Sequence, residues 1–149
     1  MKCQLIISFL LLIQGVYANS IEIVRDNYAN AINDKNICAE MIEYLQNNKS
    51  ETLNLAYLGA YQAVMANHVI NPISKLKYFN QGKENLEKAI AKANTNAEMR
   101  YLRLSIQKNI PKFLKYSAHI QEDTEYISKH RNMIKSNVVI RNIDNLLAR

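Results

Sequence analysis

The most unusual cluster of polar side chains in this sequence lies between positions 98 and 103: Glu98, Arg100, Tyr101 and Arg103. Arg100 and Arg103 are three residues apart and share a helix face, with Glu98 and Tyr101 beside them. Two guanidinium groups can bind a carboxylate or phosphate through paired hydrogen bonds. They can equally bridge to acids on neighbouring helices and fix helix packing. The sequence favours the bridging role, and it leaves all four residues as candidate binding residues.

The histidines offer a second kind of chemistry. His68 continues the apolar face of a helix, which favours a partly buried, hydrogen-bonded ring over a catalytic one. We keep His68 as a further candidate binding residue. His119 and Asp123 are four residues apart and could form the histidine–carboxylate pair that orients many catalytic bases, although such pairs also occur on ordinary helix surfaces. A hydrolase-type enzyme that uses Glu98 or the His119–Asp123 pair is therefore an alternative hypothesis.

Several other kinds of site leave no trace in the sequence. There is no glycine-rich phosphate loop, nucleophile elbow or HExxH zinc motif. The cysteines are Cys3 and Cys38, and Cys38 lies among apolar residues as a small buried side chain would. The three histidines do not have zinc-ligand spacing. We therefore assign no catalytic residue and expect neither a metal nor another cofactor.

The amino terminus predicts the destination of the protein. A lysine precedes an apolar run at positions 5–13, and the small residues Val16 and Ala18 fit the −3 and −1 positions of a signal-peptidase site. The run is shorter than the ~18–20 residues needed to span a membrane. We expect a signal peptide at residues 1–18 and a single domain at residues 19–149. The protein would then be periplasmic or extracellular, with no transmembrane span in the mature chain.

The charge pattern argues against a nucleic-acid partner. The formal net charge is +6, but basic residues are scattered among acids instead of forming one patch. The short sequence Lys75-Leu76-Lys77 is the exception. A site for nucleic acid would need a local cluster of lysine and arginine.

The central element of the predicted fold runs from Thr52 to Ile70. This stretch has no Lys, Arg, Asp or Glu in a chain that is 21% charged, and its apolar residues repeat at helical spacing on more than one face. A helix that is apolar nearly all round belongs in the protein interior. It also carries a stripe of small residues that would let a neighbouring helix approach closely: Ala56, Gly59, Ala60 and Ala63.

Helical periodicity also marks the segments on both sides of the central helix. The further predicted helices cover about residues 21–32, 37–46, 72–93, 98–110, 121–134 and 138–147. We expect an all-α domain of about seven antiparallel helices. They would pack as helical hairpins, in a bundle or a tetratricopeptide-like array, around the central helix.

Three local signals refine these predicted helices. Asn71 before Pro72 predicts the amino-terminal cap of the helix that follows the central one. Thr95 and Glu98 fit a capping box at the start of the next helix. Gly82, in mid-helix, indicates a kink or a close helix contact.

A set of residues between positions 57 and 123 carries a family resemblance: Tyr57-Leu58-Gly59-Ala60, His68, Asn71-Pro72, Phe79, Gly82, Glu98-Met99-Arg100-Tyr101-Leu102-Arg103, Pro111, Leu114-Lys115-Tyr116 and Asp123. In these residues the chain resembles an uncharacterised family of secreted all-helical proteins from Bacteroidetes-type bacteria. The resemblance implies secretion and an all-α fold, and it brings no function.

A weaker likeness is to tetratricopeptide repeats. Leu55-x-x-Leu58-Gly59 and Leu86-x-x-Ala89 resemble parts of such a repeat, but the 34-residue spacing fails. The peptide binding typical of those repeats transfers only as a hint.

Three functional hypotheses follow. The leading one is a non-enzymatic interaction or scaffold module that binds a protein or peptide partner in a groove between helices, near Arg100 and Arg103. The hydrolase-type enzyme described above is the alternative. A small-ligand or lipid carrier, with a cavity beside the central helix, is the third.

Overall fold

The structure is a computed structural model that describes residues 20–149. The predicted signal peptide lies outside the described residues. Within them the chain is all-α, and no strand is formed. The seven helices are α1 (residues 20–31), α2 (Lys35–Asn47), α3 (Thr52–His68), α4 (Pro72–Lys92), α5 (Ala97–Asn109), α6 (Ile120–His130) and α7 (Asn137–Leu147). Short 3₁₀ turns occur at Lys112–Leu114 and Arg131–Met133. The predicted fold class is confirmed.

Helix α3 is the central element, as its uncharged sequence predicts. Every residue from Leu55 to Ala66 is buried, and α3 packs against α2, α4 and α5. The helix ends at His68, two residues before the predicted boundary, and Val69 already has extended backbone geometry. Pro72 lies just beyond this end and disfavours helical geometry at Asn71, so the helix could not have continued through it.

The predicted stripe of small residues on α3 is where α4 packs. A Cβ atom added to Gly59 would lie 2.6 Å from the carbonyl oxygen of Gly82, and one added to Gly82 would lie 2.6 Å from the amide nitrogen of Ala63. Both distances are far inside van der Waals contact, so the two backbones touch where neither residue has a side chain. Gly82 is thus explained by close helix contact.

The caps of α4 and α5 show one correct prediction and one wrong one. Asn71 accepts hydrogen bonds from the amides of Ile73 and Ser74 at 2.9 and 3.1 Å, as predicted. The predicted capping box of Thr95 and Glu98 is wrong, because Asn96 caps α5 by accepting from the Met99 amide at 3.0 Å. The Glu98 carboxylate is bonded elsewhere in the protein.

Two further observations bear on the sequence analysis. Cys38 is buried, its thiol donates to the Tyr61 carbonyl at 3.3 Å, and burial raises its pKa to about 12. A thiol in that state is protonated and unreactive. None of the helices in residues 20–149 has both the length and the apolar character that crossing a membrane requires.

Candidate functional site

Arg103 lies at the centre of a buried ion-pair network on one face of α5. Its Nε and Nη2 atoms donate to the two carboxylate oxygens of Asp123 on α6, both at 2.7 Å. Its Nη1 donates to Glu87 on α4 at 3.0 Å. Arg103 is 4% exposed and Asp123 is fully buried. The Tyr116 hydroxyl also bonds Glu87, so this one group ties together α4, α5, α6 and the segment before α6.

Arg100 extends the same network towards the surface. Its Nη1 donates to Glu122 at 2.7 Å and to Asp123 at 3.1 Å, and its Nε donates to the Asn94 carbonyl at 2.9 Å. The guanidinium group also lies 4.2 Å from the centre of the Tyr126 ring. We call Arg100, Arg103, Glu87, Glu122 and Asp123 the Arg103 network.

Glu98 belongs to a different group of residues. It accepts from Nε and Nη2 of Arg25 on α1, both at 2.7 Å, and from the Tyr57 hydroxyl of α3 at 2.8 Å. Glu98 is 7% exposed. Burial, with the neighbouring Glu98 carboxylate, raises the pKa of Tyr57 well above its usual value. The Arg25–Glu98 pair thus joins α1, α3 and α5.

The four candidate residues around position 100 therefore face different parts of the protein. Both arginines bridge α5 to other helices, and each has a carboxylate partner, which is the bridging role that the sequence favours. Tyr101 is buried, and its ring packs edge-on to Tyr28 with ring centres 6.3 Å apart. A ligand that bound Arg100 or Arg103 would have to displace an existing carboxylate.

The histidines are also bonded within the protein. Nε2 of His68 is 2.7 Å from the Ala31 carbonyl oxygen, which links the ends of α3 and α1. Nδ1 of His119 is 2.9 Å from the carboxylate of Glu122, while Asp123 turns inward to the arginines. The predicted side-chain pair of His119 with Asp123 is replaced by one with Glu122. Hydrogen bonds from Arg100 and His119 lower the pKa of Glu122 to about 2.

These contacts separate the residues of the hydrolase hypothesis. Glu98 points to α1 and α3, whereas Asp123 points to the α4–α5–α6 side. Both carboxylates are held by guanidinium groups. Within residues 20–149 no three histidine, cysteine or acidic side chains converge so as to hold a metal ion.

An open polar surface lies elsewhere, between α1, α5 and α7. A cavity of about 340 Å³ opens there, and a second of about 240 Å³ adjoins it along α3. The two share Tyr28, Ile32, Ser105, Asn109 and Arg149. We call the combined surface the amide groove, because five asparagines line it: Asn33, Asn67, Asn109, Asn142 and Asn145.

Much of the polar lining of the amide groove is unpaired. The Tyr28 hydroxyl and Ser105 Oγ are 2.8 Å apart, and Asn109 donates to the Ser105 carbonyl at 2.7 Å. By contrast, the side chains of Asn33, Asn67 and Asn145 form no hydrogen bond within residues 20–149. A primary amide both donates and accepts. The groove therefore presents free donors and acceptors on a surface where Arg149 is the one charged side chain among the lining residues described.

The sequence analysis missed this groove. Its asparagines come from four parts of the chain: the turn after α1, the last turns of α3 and α5, and α7. Asparagine near helix ends and in turns is ordinarily read as a cap or turn residue. The one local signal is the three-residue spacing of Asn142 and Asn145, which puts them on one face of α7.

No protein-family model matches the sequence, and comparisons with curated proteins and with solved structures find no match. The resemblances to secreted helical proteins and to tetratricopeptide repeats stay predictions.

Proposed function

We propose that the protein is a non-enzymatic binding module that holds an extended segment of a peptide or protein partner in the amide groove. The observation that carries this proposal is the set of unpaired asparagine side chains along the groove. Each peptide unit of a ligand has one donor and one acceptor. Primary amides supply the matching pair without a fixed direction, so an asparagine-lined groove suits main-chain recognition.

The remaining lining residues fit the same ligand class. Ile32 is 52% exposed at the groove and offers an apolar contact for a ligand side chain. Arg149 supplies a guanidinium group that suits a carboxylate, either acidic or carboxy-terminal. This placement differs from the one expected from sequence, near Arg100 and Arg103, because those arginines are already paired.

The setting of this activity rests on the predicted signal peptide. We propose that the protein acts in the periplasm or outside the cell. The enzyme alternative gains no specific support, because Arg25 of α1 holds Glu98 and Arg103 of α5 holds Asp123.

Peptide selection tests the proposal. The full chain is immobilised and a random peptide library is selected on it, and enriched peptides are then measured by calorimetry. The groove variant is Asn109→Ala with Asn145→Ala. The matched control is Asn47→Ala with Asn80→Ala: Asn47 repeats the bond of Asn109 to the carbonyl four residues before it, and Asn80, like Asn145, is exposed and forms no side-chain hydrogen bond within the described residues.

We expect the groove variant to weaken binding by about tenfold, since each lost amide hydrogen bond contributes about 0.5–1.5 kcal/mol, and the control to change it by less than about twofold. Equal affinity of both variants for the enriched peptides would place the binding site elsewhere. Failure to enrich any peptide would also contradict the proposal.

A further inference from the structure

Four large apolar side chains project into solvent at one end of the protein. Ile70 is 96% exposed, Ile73 81%, Phe113 78% and Leu76 50%. Three of them lie in or just before the first turns of α4, and Phe113 lies in the 3₁₀ turn after α5. Exposed apolar residues that gather at one end of a protein, unlike single ones scattered over its surface, commonly mark a site of interaction. We call these four residues the apolar tip.

Neighbouring contacts place Phe113 at the same end as the three α4 residues. Before it, Ile110 lines a cavity together with Asn67, in the last turn of α3 and just ahead of Ile70. After it, the Tyr116 ring packs on Phe79 of α4 with ring centres 6.0 Å apart. Phe113 lies in the chain between these two contacts, so it is at the end of the protein where α3 ends and α4 begins.

The charges in the two stretches that carry the apolar tip are of one sign. Lys75, Lys77, Lys112 and Lys115 are all exposed, and none forms a salt bridge in the described structure. The stretches 52–83 and 99–121, which carry the tip residues, contain no Asp or Glu. The neighbouring α1–α2 turn, joined to this end by the bond of His68 to Ala31, carries one acid, Asp34, beside Lys35. Elsewhere the chain mixes both signs.

We infer that the apolar tip docks on the surface of an anionic lipid membrane without crossing it. Isoleucine, leucine and phenylalanine side chains enter the boundary between headgroups and acyl chains, and lysines beside them meet lipid phosphates. Lysine stems can lie along apolar surface while their ammonium groups stay at the headgroups. Four exposed lysines beside the apolar residues, with no acid in either stretch, give the tip the charge that anionic lipid headgroups attract. None of the four tip residues lines the amide groove, so this inference does not depend on the proposed function.

A tryptophan reporter gives the direct test, because the chain contains no tryptophan. Phe113→Trp places one at the apolar tip. Met133→Trp is the matched control: Met133 is also an exposed apolar residue in a 3₁₀ turn, but it lies by the start of α5, at the opposite end. Both variants are made in the full chain, so residues 1–18 contribute equally to each. Vesicles contain either phosphatidylcholine alone or equal parts of phosphatidylcholine and phosphatidylglycerol.

On the mixed vesicles, we expect the tryptophan emission of the Phe113→Trp variant to shift to shorter wavelength and to be quenched by brominated acyl chains. The Met133→Trp variant should show neither effect. An unchanged emission spectrum of the Phe113→Trp variant, or equal shifts in both variants, would overturn the inference.

The charge contribution is tested by Lys75→Gln with Lys77→Gln against the control Lys129→Gln with Lys135→Gln, which removes the same charge from exposed sites elsewhere. Each tip lysine should change partitioning onto mixed vesicles by about fivefold, and the control much less. Equal losses of partitioning in the two variants would show that only the net charge matters, and would refute docking through the apolar tip. Concentration-dependent dimers that Ile73→Ser abolishes, with no lipid binding, would assign the tip to a second copy of the chain instead.

Discussion

The two sides of α5 differ in whether their polar side chains are paired. On the side towards α4 and α6, the Arg103 network pairs each arginine with a carboxylate, and Arg103 and Asp123 are almost fully buried. On the side towards α1 and α7, Ser105 and Asn109 open onto a groove whose asparagines are partly unbonded.

The difference follows from the free energy of burying each group. An ionised group in the interior must be paired or it is strongly destabilising. A neutral amide at a groove rim can instead remain hydrated until a partner arrives. The arginines and acids around α5 therefore hold the helices together, and three asparagines of the amide groove form no side-chain hydrogen bond within the described residues.

The largest expected effect on stability comes from disrupting the Arg103 network. Asp123→Ala removes the acceptor of Nε and Nη2 of buried Arg103 and leaves Glu87 as its one carboxylate partner, so we expect the free energy of unfolding to fall by about 3 kcal/mol. Asp144→Ala, which breaks the exposed pair with Arg131, should lower it by less than about 1 kcal/mol. Urea unfolding followed by circular dichroism measures both. Equal losses would mean that the Arg103 network is no more important than a surface pair.

High pH tests whether the tyrosines that line the amide groove, Tyr28 and Tyr101, are as well shielded from water as the Arg103 network. Burial raises the pKa of five tyrosines above the usual value: Tyr28, Tyr57, Tyr61, Tyr101 and Tyr116. Their folded-state pKa values exceed the unfolded value near 10. Their contribution to stability is therefore complete below about pH 10 and is lost above it, by about 1.4 kcal/mol per pH unit for each tyrosine.

The measurement for this effect is an alkaline titration. Tyrosinate absorbance of these five residues should appear together with the loss of the helical circular dichroism signal, and Tyr28→Phe should make the loss of stability with pH less steep. If all tyrosines ionised while the helices persisted, the tyrosines that line the amide groove would be open to solvent.

The smallest effect is expected at the groove rim. Asn109→Ala with Asn145→Ala should change the free energy of unfolding by no more than about 0.5 kcal/mol, because both side chains are exposed. Urea unfolding against the Asn47→Ala, Asn80→Ala control checks this. A loss above about 2 kcal/mol would make these asparagines structural and would remove the contrast between the two sides.

The sequence was informative where a signal is local. The uncharged run at residues 52–70 predicts the central helix, and Asn71-Pro72 predicts how the next one begins. The small residues around Gly59 predict a close helix contact, although the sequence does not name Gly82 as the partner.

The sequence was uninformative where partners are distant. Arg103 pairs with an acid 20 residues away, and Arg25 with one 73 residues away, so nothing local selects those acids. Helix spacing alone predicts that Asp123 pairs with His119. In the structure it pairs with Arg103, because a buried guanidinium group binds a carboxylate more strongly than an exposed imidazole does. The groove combines residues from four separate parts of the chain, and only the folded structure brings them together.

The contact between Gly59 and Gly82 also bears on the order in which the chain can assemble. Helices α3 and α4 are joined by residues 69–71 alone, so bringing them together closes a short loop and costs little chain entropy. Attaching α1 to α5 through Arg25 and Glu98 closes a loop of 73 residues. Contacts between chain neighbours are the ones that a folding protein reaches soonest. The two glycines thus allow a tight contact between helices that are neighbours in the chain, and such a contact can form early in folding.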